Sequence, residues 1–249
     1  MYKHSLISPK EILNSVLLSK YVYDDLSKLP PVDNLQIVKT FDNENTEGAI
    51  YHDSNDNTIY ISFRGTSDKR DMITDGAYFS KKFLDTKAHR GCVHAFYDVE
   101  HIILDVLNGF MNPEISYNII LCGHSLGGAL ANLWMYYLNY TQCIKYNSIK
   151  LVTCGSLKVF IKRNLTKTHD IFITNALRIT HADDIVPSLP PETLVLTLMR
   201  QEYIHVGEHW SIGVEDDKHS FKEHKIKNYV DALIKEGVLS EHEQIIISS

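Results

Sequence analysis

Gly123-His124-Ser125-Leu126-Gly127 sets a hydroxyl between two glycines, with the apolar run ISYNIILC before it and the good helix formers GGALANLWMYYL after it. A serine between a buried strand and a helix is a candidate nucleophile. Its Oγ would stand on a sharp turn at the carboxyl edge of a sheet, where side chains at the flanking positions would strike the neighbouring strand or helix. The following helix aims free N–H groups and the positive end of its dipole at the same spot, so the Leu126 N–H is the first donor expected for a developing oxyanion. His124, next to the nucleophile, reads as a packing residue and not as the base.

A serine hydroxyl is a poor nucleophile until a base takes its proton, and the base needs an acid to orient it. The expected order along the chain is serine, acid, histidine. Asp183-Asp184 directly follow the buried-type strand ALRITHA, which sets a carboxylate at the sheet's carboxyl edge. Histidines 124, 169, 181, 205, 209, 219, 224 and 242 all lie beside or beyond Ser125. Spacing alone does not choose among them.

A rival chemistry is metallic. His205-Val206-Gly207-Glu208-His209 reads H-x-x-E-H, a zinc motif that requires a helix to bring both histidines to one face. Gly207 interrupts it and the flanks QEYIHV and HWSIGV read as strands, so no metal site is assigned. Cys92, Cys122, Cys143 and Cys154 have no metal-ligand spacing, and Cys122 and Cys154 end apolar runs as buried free thiols would. No metal or organic cofactor is expected.

The elements that must position these groups can be read from pattern. Ser8-Pro9-Lys10-Glu11 opens a helix with a capping serine, proline first and glutamate third, which ends near Leu29-Pro30-Pro31. LQIVKTF, EGAIYHD and NTIYISF, separated by Asn/Asp-rich turns, form an antiparallel meander over residues 35 to 63. CVHAFYDVEHIILDVLNGF has helical period and stops at Gly109; the elbow strand and helix, the strands IKLVTCG and ALRITHA, and the amphipathic helix FKEHKIKNYVDALIKEGVL follow. Alternating strands and helices imply an α/β fold with a mostly parallel sheet, an antiparallel N-terminal part and helices on its faces. No repeat or linker interrupts the chain, so residues 1–249 are read as one domain.

Five motifs in order, FRGT (63–66), AHRGCVHAF (88–96), GHSLGG (123–128), TCGS (153–156) and RITHADDIVPSLPP (178–191), resemble the class 3 lipases, over about residues 50 to 230. The resemblance implies an α/β-hydrolase with helices on both sheet faces. It places the nucleophile at Ser125, the acid at Asp184 and not Asp183, the oxyanion residue at Thr66 beside Leu126, and the base at His224, which precedes a segment ending in Tyr-apolar. His219 is the alternative base. Leu157 and Cys92 depart from the family's usual Pro and Phe without touching this chemistry. Between Thr66 and His89 the family carries a lid; here only Met72 and Ile73 stand among the many charges of its first part, so a short lid and weak interfacial activation are expected.

The implied activity is a serine hydrolase cleaving carboxylic esters of lipids, of the acylglycerol lipase type. A phospholipase or acylhydrolase of the same fold, or a silent lipid-binding relative, are the alternatives. The expected partners are the lipid ester and, transiently, a membrane or lipid-droplet surface; the oligomeric state is open. The composition agrees: 249 residues, 44% hydrophobic and 22% charged, is a globular balance, and a net charge of -6 argues against a nucleic-acid partner. The local basic group Lys158, Lys162, Arg163 and Lys167 reads as a solvated face. With no signal-like or membrane-spanning run, and thiols expected free, the sequence places the chain in the cytoplasm.

Overall fold

The computed structural model describes residues 6–29, 32, 34–43, 46–65, 79–164, 169–191, 193–196, 199–213 and 220–237. Helix α1 (Pro9–Tyr21) begins as its sequence dictates. Ser8 Oγ accepts the Glu11 N–H, Glu11 Oε2 accepts the Ser8 N–H at 2.7 Å, and Pro9 takes the first position, where no N–H is needed. It stops earlier than Leu29, because Asp25 turns back to accept the Ser27 N–H at 3.0 Å and starts a separate short turn over Leu26–Lys28.

Strands β1 (Leu35–Asn43), β2 (Thr46–Asp53) and β3 (Thr58–Phe63) form the antiparallel meander. After them come β4 (Ser80–Phe83), β5 (Thr86–His89), α2 (Arg90–Phe110), β6 (Asn118–His124), α3 (Leu126–Thr141) and β7 (Ser148–Cys154). Next are β8 (Phe160–Ile161), α4 (His169–Asn175), β9 (Ala176–His181), β10 (Thr193–Leu196), β11 (Met199–Ile204), β12 (Glu208–Ile212) and α5 (Ile226–Lys235). The main sheet runs β1-β2-β3-β6-β7-β9-β12, and every pairing from β3 to β12 is parallel.

Both faces of this sheet are covered. Along β6, Ile119 and Leu121 face one core, shared with α2 and α3, while Ile120 and Cys122 face the other, shared with α1 and α5. That double burial is why the parallel strands read as apolar runs without alternation. Phe96 of α2 ties the first core together, with Phe83, Trp134 and Tyr137 ring centroids within 4.7 to 4.9 Å.

A second sheet, β10-β11-β8-β5-β4, was not foreseen. Its strands are two to six residues long, and β4 carries Lys81 and Lys82 on exposed positions, so no hydrophobic period marks it. Lys158 also departs from expectation. It is buried, and its ammonium donates to the carbonyls of Ser188 at 2.9 Å and Pro190 at 3.3 Å, while Lys162 pairs with Glu202. Lys167 lies outside the described residues. No helix among the described residues is long and apolar enough to cross a membrane.

His89, buried at the start of α2, accepts the Cys92 N–H on Nδ1. Burial, with Arg90 adjacent, pushes its pKa down to about 4. Between about pH 6.5 and 4 the unfolded chain binds a proton that the folded chain refuses, so stability falls as pH falls, by up to about 1.4 kcal/mol per unit from this residue. His89→Asn keeps a capping acceptor without titrating, and in urea melts it is expected to flatten that slope; an unchanged slope rejects His89 as its source.

Candidate active site

The carboxyl ends of β6, β7 and β9 meet where the chain turns from β6 into α3. Ser125 occupies that turn at φ 61° and ψ -127°, a backbone state costing a non-glycine residue on the order of 1–3 kcal/mol. Its N–H donates to the Cys154 carbonyl of β7 at 3.0 Å, which fixes the turn to the neighbouring strand. The glycines are needed for clearance. A Cβ at Gly123 would lie 2.4 Å from the Gly127 carbonyl carbon, and one at Gly127 would lie 2.1 Å from the Phe63 oxygen of β3.

The structure brings Ser125, His224 and Asp184 together across separations of 99 and 40 residues. Ser125 Oγ is 2.7 Å from His224 Nε2, and His224 Nδ1 is 2.6 Å from Asp184 Oδ2. All three are buried. His224 enters from the residues just before α5. Asp184 follows β9 by three residues, and the turn it opens returns the Val186 N–H to Oδ1 at 2.8 Å. Asp183 faces the other way, along a cavity of about 770 Å³ lined also by His181, Ser220 and Asp231. Leu126 is the first residue of α3, so its N–H has no partner within the helix. Thr66 and His219 lie outside the described residues, as does the segment from 67 to 78 that holds Met72 and Ile73.

Tyr229 was not singled out as a site residue. Its hydroxyl donates to Asp184 Oδ2 at 2.5 Å, so that oxygen takes two donors. Burial and the Asp184 charge hold this phenol in its protonated, donating form. The available signal was a tyrosine in the apolar stripe of α5, since a buried phenol requires a polar partner. His205 and His209 serve other contacts: His205 Nε2 donates to the Pro187 carbonyl at 2.6 Å, and His209 Nε2 is 2.7 Å from Thr180 Oγ1. They stand at the end of β11 and on β12, in different sheets.

A serine on a strained strand-to-helix turn, in line with a histidine and a buried aspartate at the carboxyl edge of a mostly parallel sheet, is the site of an α/β-hydrolase. Among solved structures the fold matches lipase II from Rhizopus niveus with a TM-score of 0.68 and 23% identity, over 82% of this chain and 80% of that one. The chain belongs to the class 3 lipase family, whose model, described as Lipase (class 3), matches residues 60–194. It is 30% identical to a lipase of Rhizopus niveus over 168 residues, 64% of this chain and 42% of that protein. It is 32% identical to the secreted mono- and diacylglycerol lipase 1 of Fusarium solani over 141 residues, 53% of this chain and 39% of that protein. The chain therefore spans less than half the length of these curated relatives. The cytoplasmic placement is overturned: the Fusarium protein and a mono- and diacylglycerol lipase A of Penicillium cyclopium are both named as secreted.

The elbow's packing is directly testable. Gly127→Ala drives a methyl into the Phe63 carbonyl and is expected to cost several kcal/mol or abolish folding, whereas Gly109→Ala, with nothing within 4 Å, is expected to stabilise by about 0.5–1 kcal/mol. Equal urea midpoints for the two variants would contradict the close approach of β3 to α3.

Proposed function

We propose that this chain, acting as one domain, is a carboxylic ester hydrolase of the acylglycerol lipase type, met by its substrate at a lipid surface. Ser125 Oγ attacks the ester carbonyl while His224 Nε2 takes its proton, and Asp184 holds the Nδ1–H tautomer and stabilises the imidazolium. The Leu126 N–H, with Thr66, stabilises the tetrahedral oxyanion. Collapse expels the alcohol, which leaves with the proton from His224, and an acyl group remains on Ser125. Water, deprotonated by His224, then attacks that acyl-enzyme and releases the fatty acid.

The observation that carries this reading is the unbroken line of short contacts from Ser125 Oγ through His224 to Asp184. Membership of the lipase family supports the substrate class, and one solved fold-mate is described as a triacylglycerol lipase whose catalytic centre is a serine protease triad. A fluorophosphonate probe is expected to label the natural chain and not Ser125→Ala. The same substitution is expected to cost on the order of 10⁶ in turnover on p-nitrophenyl esters and acylglycerols. Labelling that survives Ser125→Ala, or a natural chain that neither labels nor hydrolyses any ester, rejects the mechanism.

A further inference from the structure

Behind the Ser125–His224–Asp184 line runs a second set of contacts that begins just after α1. The Tyr23 hydroxyl lies 2.8 Å from His124 Nδ1, its ring meets that imidazole edge-on at 5.8 Å, and the Arg64 guanidinium stands over the phenol ring at 5.7 Å. A Cβ built on Gly65 would be 2.3 Å from the Tyr23 oxygen, 2.6 Å from the His124 carbonyl oxygen and 3.0 Å from Ser125 Cβ. The phenol, the elbow and the main chain leading into Thr66 therefore touch one another. The Tyr23 hydroxyl and His124 Nδ1 pair within this contact, while His124 Nε2 is buried with no hydrogen-bond partner among the described residues. His124 lies almost flat on His224, with ring centroids 4.4 Å apart and planes 27° apart.

We propose that Tyr23 and His124 are positioning residues: the phenol ties the chain ahead of Thr66 to the elbow, and the neutral His124 ring holds His224 in the plane that joins Ser125 to Asp184. The inference rests on the Ser125 mechanism proposed above. Among the described residues, the titratable and charged groups in contact with this stack are Asp184 of the acid turn, Tyr229 of α5 and Tyr23, with Arg64 over the Tyr23 ring. Burial, and then the neighbouring His224, hold the proton affinity of His124 well below that of an ordinary histidine. The proton leaving Ser125 is thereby confined to His224, and no second cation forms against the imidazolium.

Tyr23→Phe deletes the hydroxyl and keeps the ring, while His124→Asn keeps a polar partner for Tyr23 and removes the stacked ring. With active sites counted by fluorophosphonate titration, kcat per site on p-nitrophenyl butyrate is expected to fall about 10- to 100-fold in each, with KM within about twofold. A role in folding alone would lower the melting temperature and leave kcat per titrated site unchanged, and that result overturns the proposal. The unsubstituted protein supplies a measurement independent of variant stability. In ¹⁵N spectra His124 is expected to show a neutral ring at every pH from 5 to 8, and titration of that ring in this window overturns the proposal too. If the natural chain labels and hydrolyses but the variants match it, only the positioning role fails; if it does neither, the underlying mechanism fails.

Discussion

A carboxylate whose side chain is sealed from water must collect hydrogen-bond donors from whatever surrounds it, and most of this site is arranged around that requirement at Asp184. One oxygen is satisfied locally by the Val186 N–H of its own turn, the other by His224 and Tyr229, which the chain delivers 40 and 45 residues later. The turn itself has to be held. Lys158 donates to the carbonyls of Ser188 and Pro190, and His205 donates to that of Pro187, so two side chains from the second sheet side of the molecule pin the acid loop by its backbone. The second sheet, with β8 and β11 flanking these residues, thereby acquires a reason: it is the platform on which the loop carrying Asp184 rests.

Ser125 poses the opposite problem, because its turn is strained instead of underpaired. A serine at positive φ persists only if its surroundings over-determine it. Here β7 takes its N–H, β3 packs against Gly127, and the α3 helix begins at once and is buried along nearly its whole length. Both faces of the sheet that supports the turn are covered by core, so the strain is borne by the best-packed part of the fold.

What could be read in the sequence follows from how local each feature is. The elbow is five consecutive residues between a strand pattern and a helix pattern, and Asp183-Asp184 lie beside their own strand, so Ser125 and that acidic pair stand out, while the choice of Asp184 within the pair rests on family resemblance. The choice of His224 over His219 rested on family resemblance, since a contact spanning 99 residues leaves no trace in spacing. Tyr23, Lys158 and the short strands of the second sheet were illegible for the same reason: their partners are distant in sequence and their own patterns are too short or too polar to show a period. The thiols misled in another way. Burial pushes Cys92 and Cys122 up to about 12, which makes them inert wherever the protein resides, so their being unpaired carries no information about compartment.

The region shared with the family model holds Ser125 and Asp184 but neither His224 nor Tyr229, and Tyr23 precedes it. Tyr229 lies on α5 and His224 directly precedes it, on the sheet face that α1 and α5 cover. Helix α5 buries Tyr229, Val230 and Leu233 in the same core as Ile12, Val16 and Leu18 of α1, so the position of His224 depends on how well α1 packs against α5. Burying such side chains stabilises by roughly 1.5–3 kcal/mol each, far more than a single hydrogen bond between His224 and Ser125 contributes. Apolar packing between α1 and α5 therefore sets the geometry, and the short contacts at the serine report that it has been set.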